Sequence, residues 1–170
     1  MYNLYVGGAY DVKKYTWTAY GDEATGKQDE NMRGFIYGLL VANGTTPFST
    51  DEKKGNNYSD YSGSLVEEYV NNYKTILESD YGVKLIEARL ITKEELSSEK
   101  IGCKANIYTC EGAPSFIKAN SYWTMSTDDT KYLYYVHTDN QYDFDQSIYN
   151  DDQFGVRPVI IIPKSDIVVS

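Results

Sequence analysis

Residues 64–82 constrain the fold more than any other stretch of this chain. Ser64-Leu65-Val66-Glu67 is a capping box, in which the Ser64 hydroxyl accepts from the backbone N–H three residues on and Glu67 reaches back to the Ser64 N–H. Leu65, Val66, Tyr69, Val70, Tyr73, Ile76 and Leu77 then share one helical face, and Gly82 stands where a left-handed C-terminal cap belongs. A helix with a single apolar stripe needs other elements to cover it, and this chain supplies mostly strands. Val83–Ile91, Ser121–Thr127, Lys131–His137 and Val156–Ile162 are rich in aromatic and β-branched residues. Tyr2–Val6 and Tyr15–Tyr20 are earlier β-prone runs, closed by Gly7-Gly8 and Gly21-Asp22. A second capping box, Thr92-Lys93-Glu94-Glu95, opens a short helix running to about Ser97. Helices toward the front and strands toward the back give the class α+β.

Two segments read less cleanly. Asn31–Ala42 sets Met32, Phe35, Ile36, Leu39 and Leu40 at helical spacing, weakened by Gly34 and Gly38. Asn43–Ser64 is dominated by Gly, Ser, Thr, Asn, Asp and Lys and reads as a long surface loop. With no internal repeat and no linker, residues 1–170 are read as one domain, since two would each lack a core.

Charge narrows the function. The chain carries 25 acidic and 16 basic side chains, net −9, which disfavours nucleic acid and anionic membrane as partners. No apolar run approaches the roughly 18 residues of a membrane span. Hydrophobic residues at 41%, with 15% aromatic, are too many for a disordered chain. Tyrosine supplies 18 residues, against five Phe and two Trp.

Cys103 and Cys110 are the only cysteines. They have no second pair to hold zinc and are spaced too far apart for a C-x-x-C redox motif. A disulfide closing a small Gly-flanked loop fits, worth about 2–3 kcal/mol by loop entropy; the alternative is two buried thiols of a cytosolic protein. The bridge favours an oxidising, extracytoplasmic location. Met1–Val6 lacks the pattern of a signal peptide, so an upstream export or anchoring segment is expected.

Several motifs occur in a telling order: Ala88-Arg89-Leu90-Ile91-Thr92-Lys93-Glu94-Glu95-Leu96, Ser121-Tyr122-Trp123-Thr124, and Gly155-Val156-Arg157-Pro158-Val159-Ile160. Together with the two-cysteine loop, Ala113-Pro114-Ser115-Phe116 and Pro163-Lys164-Ser165-Asp166-Ile167, they resemble the C-terminal domains of Gram-positive surface and prepilin-like proteins. That family is similar in turn to the formylglycine-generating/sulfatase-modifying superfamily. The resemblance covers about residues 62–168 well and the first 60 more loosely. It implies a C-type lectin-like fold, with two helices around small antiparallel sheets and chain ends close together. Some members of that fold are variable proteins of diversity-generating retroelements, with a hypervariable patch near the C-terminus. Here the turn after Val136 reads His137-Thr138-Asp139-Asn140-Gln141 where relatives often carry Gly, leaving Asn140 to take any positive-φ position.

The motif residues themselves read as structural. Trp123 in a β-run is a core aromatic rather than a ligand platform. Arg157, in an apolar strand, snorkels or caps carbonyls. Gly155 marks a tight entry and Pro158 an edge position.

Asp128–Asp152 is where binding chemistry concentrates. It holds seven aspartates and one lysine, net −6, with five tyrosines and too few aliphatics for core. Tyr, Ser, Asn and Asp together resemble a paratope, with rigid aromatic area plus adaptable hydrogen bonding; the plainer reading is a solvated loop. The ligand-binding set is Tyr132, Tyr134, His137, Asp139, Asn140, Tyr142, Phe144, Asp145, Tyr149, Asn150, Asp151 and Asp152. Asp139, Gln141, Asp143 and Asp145 alternate as oxygen donors, and Asn150 to Asp152 add more. The loop lacks the Gly and Glu of a calcium hand, so no metal is assigned. No Gly-x-Ser-x-Gly elbow accompanies His137, the sole histidine, and no spacing singles out a carboxylate pair. The sequence therefore reads as a non-enzymatic, cofactor-free extracellular module. It would bind a protein or glycan through this segment, with retroelement diversification as one version. The competing reading is a structural, pilin-like subunit of a surface fibre, and a third is a calcium-dependent carbohydrate binder.

Overall fold

A computed structural model describes residues 2–3, 16–22, 31–37, 40, 46–49, 60–104, 109–127, 133–137, 144–147 and 153–164. Their elements run β1 (Tyr2–Asn3), β2 (Thr16–Asp22), β3 (Asn31–Tyr37), α1 (Leu65–Ser79), β4 (Glu87–Arg89), α2 (Lys93–Leu96), β5 (Tyr122–Thr127), β6 (Leu133–Val136), β7 (Phe144–Ser147) and β8 (Val159–Pro163). All strand pairs are antiparallel. One sheet has the order β1-β2-β3-β8-β4, the other β5-β6-β7. The described residues thus form an α+β arrangement of two helices and two small antiparallel sheets.

Helix α1 forms where the sequence places it. Ser64 Oγ accepts from Glu67 N at 3.1 Å. The return arm lands one residue earlier than expected: Glu67 Oε2 accepts from Gly63 N at 2.6 Å, while Ser64 N donates to Tyr61 O. Gly63 sits at φ 82°, a left-handed position that presents its N–H to the carboxylate without steric cost. Val66, Val70, Tyr73 and Leu77 are the buried positions. At the far end Asp80 caps the helix, Gly82 has φ 65°, and Val83 N bonds back to Leu77 O at 3.0 Å.

Two cores lie on opposite faces of the strands, because successive strand residues point opposite ways. The first gathers the buried face of α1 with Ile36, Leu40, Phe48, Leu90, Trp123, Leu133, Val156, Ile160 and Ile162. The second gathers Phe35, Ile91, Leu96, Ile101, both cysteines, Ile117, Tyr122, Tyr134, Val136 and Val159. Strand β8, buried on both sides, is therefore a continuous apolar run rather than an alternating one.

That double burial accounts for one correction. Residues 31–37 form strand β3, not a helix. Phe35 and Ile36 are adjacent and both buried because they enter different cores, and a strand covered on two faces mimics helical spacing. Pairing with β2 and β8, and the helix penalty of Gly34, decide the matter. The 43–64 stretch also departs from a surface loop where it is described. Thr46 pairs with Phe154 and Phe48 is fully buried. Of the strand expected over 83–91, only Glu87–Arg89 pairs.

Cys103 and Cys110 are joined in a disulfide. It closes a loop whose ends also exchange hydrogen bonds, Lys104 N to Thr109 O at 2.7 Å and Thr109 N to Lys104 O at 3.2 Å. Both cysteines are buried in the second core.

Pro158 and Arg157 work as a unit. Pro158 does not lie at an edge: it leads into β8, which is flanked by β3 and β4. The register that sets Phe35 against Val159 continues to Ile36 and Pro158, and Ile36 N donates to Pro158 O at 3.0 Å. An antiparallel pair of this kind normally returns a bond from residue 158 N to Ile36 O, which proline cannot give. Arg157 Nε gives it instead. The guanidinium, 0% exposed, lies 4.1 Å from the Phe35 ring centroid and 5.3 Å from that of Tyr122. Arg157 thus caps a carbonyl, as its apolar strand implied. Burial pushes the Tyr122 hydroxyl well above the usual tyrosine range, opposed by the nearby Arg157 charge and hydrogen bond.

Candidate functional site

The β6–β7 hairpin carries the part of the acidic segment that is described. Leu133 pairs with Ser147, Tyr134 with Gln146, Tyr135 with Asp145 and Val136 with Phe144. The segment, read from its sequence as too poor in aliphatics for core, thus supplies a strand, β7. Pairing with β6 takes up its backbone groups although its side chains are mostly polar.

Along β6 the side chains divide between the two cores. Tyr134 and Val136 enter the second, while Leu133 and Tyr135 pack toward the first. Tyr135 and its β5 partner Trp123 begin an aromatic ladder. Phe48 meets Trp123 edge-on at 5.4 Å, and Trp123 meets Phe154 at 4.7 Å. Phe154 stacks on Tyr135 at 4.1 Å with 17° between planes. His137 stands edge-on to Tyr135 at 5.7 Å and to Phe154 at 6.2 Å. The ladder runs from the interior outward: Phe48 and Trp123 are fully buried, while Tyr135, Phe154 and His137 are half-buried.

Backbone bonds hold the ladder in place. Trp123 Nε1 donates to Thr46 O at 2.8 Å, satisfying the indole, and Thr46 exchanges two bonds with Phe154 at 2.7 and 3.1 Å. Gly155 exchanges bonds with Trp123 and Ser121 at 3.0 Å each, tying Phe154 beside β5. Where the β5–β6 register shifts between Trp123 and Thr127, Thr124 Oγ1 donates to Tyr134 O at 2.7 Å. Trp123 and Gly155 are therefore scaffold, as their sequence context implied.

Of the residues expected to bind ligand, His137 sits at the outer end of this ladder. Tyr134 does not offer contact area: at 4% exposure its ring belongs to the second core, with Lys93 Nζ 4.4 Å from its centroid and 3.4 Å from its hydroxyl. Alternation explains the difference, since Tyr134 and Tyr135 face opposite ways. Phe144 and Asp145 stand in β7, opposite Val136 and Tyr135. Tyr132, Asp139, Asn140, Tyr142, Tyr149, Asn150, Asp151 and Asp152 lie outside the described residues, as do Gln141 and Asp143 of the calcium reading. Sequence reasoning missed Tyr135 and Phe154. Period-2 alternation along Leu133–Val136 separates Tyr135 from Tyr134, but Phe154 carries no local signal, since its place depends on Thr46 far away in sequence.

A second polar cluster is structural. Glu95, 8% exposed, closes the α2 capping box: its Oε2 accepts from Thr92 N at 2.9 Å while Thr92 Oγ1 accepts from Glu95 N at 3.1 Å. Arg89 grips both carboxylate oxygens, at 2.7 and 2.9 Å, and Arg33 reaches Oε1 at 3.0 Å. Burial acts to raise the Glu95 carboxyl. The Arg89 hydrogen bonds and charge, with the Thr92 N–H and Arg33, outweigh it and hold the group below the usual carboxylate range. Arg33 lies on β3 and Arg89 on β4, the two neighbours of β8, so one carboxylate clasps α2 to strands on either side of β8. This is the physical content of the Arg89-to-Glu95 motif. Among the described residues, no three His, Cys, Asp or Glu side chains gather as a metal site, and no helix is long and apolar enough to cross a membrane.

The described residues therefore define a disulfide-bonded α+β domain whose aromatic ladder surfaces beside an acidic hairpin. Compared with known families, curated proteins and solved structures, the chain gives no match.

Proposed function

We propose that this chain is an extracellular, non-enzymatic binding module with a C-type lectin-like fold, which takes a protein or glycan ligand on its Tyr- and Asp-rich C-terminal surface. The observation that carries this reading is the half-buried end of the aromatic ladder, Tyr135, Phe154 and His137, beside the β6–β7 hairpin. Rigid stacked rings give contact area at little entropic cost, and the interior ladder fixes them before any ligand arrives. The two helices, two small antiparallel sheets and Cys103–Cys110 bridge support the lectin-like assignment. The bridge also supports an oxidising location, and a Gram-positive surface follows from the family resemblance alone.

The test is a binding screen against arrayed glycans and extracellular proteins. It compares the natural chain with a Tyr132→Ser, Tyr142→Ser, Tyr149→Ser variant of matched thermal stability. Binding present in the first and reduced at least tenfold in the second is expected. A ligand held equally by both refutes this surface. Closely related genes varying mainly within 128–154 would add retroelement diversification, whereas variation spread evenly would remove it.

A further inference from the structure

The Cys103–Cys110 bridge lies where thiol chemistry does not reach it. Cys103 is 4% exposed and Cys110 is fully buried. A disulfide is reduced when a thiolate attacks one of its sulfurs and displaces the other, so reduction needs an open path to a sulfur. Here the second core surrounds both. Leu96 ends α2 and Ile101 follows it, Ile117 comes after the bridge, and Val159 arrives from β8. The backbone fixes the two cysteines as well. Cys103 N donates to Leu96 O at 3.0 Å, and Ala113 N donates to Cys110 O at 2.9 Å. The two bonds exchanged by Lys104 and Thr109 hold the loop ends together without help from the sulfurs.

We infer that this bridge is a redox lock, made while the second core is open and sealed when β8 closes that core. Once sealed it is neither reduced nor formed until the core opens again. The seal acts in both directions, because an oxidant and a reductant need the same access to sulfur. β8 is the last of the named elements to be made, and its Val159 packs into the core that holds both cysteines. The lock therefore shuts after the loop it guards has been synthesised. An oxidising medium is then required during folding and not afterwards, so the finished domain keeps its bridge in reducing surroundings. Loss of the bridge follows opening of the core rather than the strength of the reductant.

The experiment treats the folded, oxidised chain with dithiothreitol and traps freed thiols with iodoacetamide for counting by mass spectrometry. One dithiothreitol thiolate breaks the S–S bond to give a mixed disulfide and one cysteine thiol. Its second thiol then releases the other cysteine, leaving two protein thiols and cyclic, oxidised dithiothreitol. Reduction of the folded chain is expected to be at least about 100-fold slower than in concentrated urea, since only the opened fraction reacts. Val159→Ala loosens the core from β8, far from the cysteines in sequence, and should speed reduction of the folded chain about fivefold or more. In the converse arm, chain folded with its cysteines reduced is given oxidised glutathione, which would take up both electrons as two glutathione thiols. It should form the bridge as slowly as the oxidised chain loses it. A natural chain reduced as fast when folded as in urea has no lock and overturns the inference, and this readout needs no variant to fold. Slow reduction left unchanged by Val159→Ala means that the cysteine loop opens by itself, and this too overturns it. Prompt oxidation of the folded, reduced chain does the same.

Discussion

Replacing Arg157 tests whether its Nε substitutes for the N–H that Pro158 lacks. In Arg157→Leu the Ile36 carbonyl loses its donor inside a fully buried site. An unsatisfied buried acceptor costs about 1–3 kcal/mol, and loss of the cation above the Phe35 ring adds about 1–2 kcal/mol. The single variant also relieves the guanidinium of its own desolvation, so the four-protein cycle is the cleaner measurement. In a Pro158→Ala background residue 158 regains a backbone N–H aimed at Ile36 O by the existing register. Arg157→Leu should then cost less by roughly 1–2 kcal/mol. Proline's effect on the unfolded chain appears in both backgrounds and cancels. Urea denaturation of all four proteins gives the coupling directly, provided the m-values agree. Additivity within about 0.5 kcal/mol would refute the substitution of one donor for the other.

Four further outcomes are expected. Glu95→Gln should destabilise the chain by about 3–5 kcal/mol at neutral pH, because two arginines lose their buried partner. The Glu95 folded-state carboxyl lies below its unfolded value, so its stabilisation is complete above the unfolded value near pH 4.3. It is lost as pH falls through the folded one, and the natural chain should therefore show a steeper acid loss of stability than the variant. Cys103→Ala, Cys110→Ala should lower stability by about 2–3 kcal/mol, and a thiol assay on the denatured chain should read two groups only after reduction. Leu77→Ala should cost about 2–5 kcal/mol by chemical denaturation, since its side chain fills the contact between α1 and the first core. Calcium or chelator should leave the melting temperature unmoved; a rise with calcium would return the Asp139–Asp145 donors to consideration as a metal site.

Local chemistry was the most legible part of the sequence. As capping groups Ser64, Thr92 and Glu95 reach no further than four residues, and both capping signals mark real helix starts. Trp123, Arg157 and the cysteine pair could also be read, because a large aromatic, a charge and two thiols in apolar or Gly-flanked settings have few stable environments. What escaped was set by distant partners. β3 depends on β8, more than 120 residues onward, and within 31–42 only Gly34 and Gly38 speak against a helix, too weakly to name a doubly covered strand. Phe154 reaches the candidate site through Thr46, and β7 pairs because β6 offers it an edge. The division of Tyr134 from Tyr135 was available from alternation alone. It shows that residues of like type in one segment need to be assigned to faces before they are assigned to a function.

The place of β8 has a consequence for biosynthesis. It is the strand between β3 and β4, yet every other named element precedes it in the chain. A ribosome therefore delivers β3, α1, β4 and α2 before the element that unites them, and the Glu95 clasp has no sheet to span until β8 inserts. During that interval β3 and β4 present unpaired edges of the kind on which chains associate wrongly. Closure at a separation of over 120 residues is also slow. The sheet accordingly closes at β8 only after its other strands have been made, and a partner or chaperone that shields the β3 edge would act on yield rather than on stability.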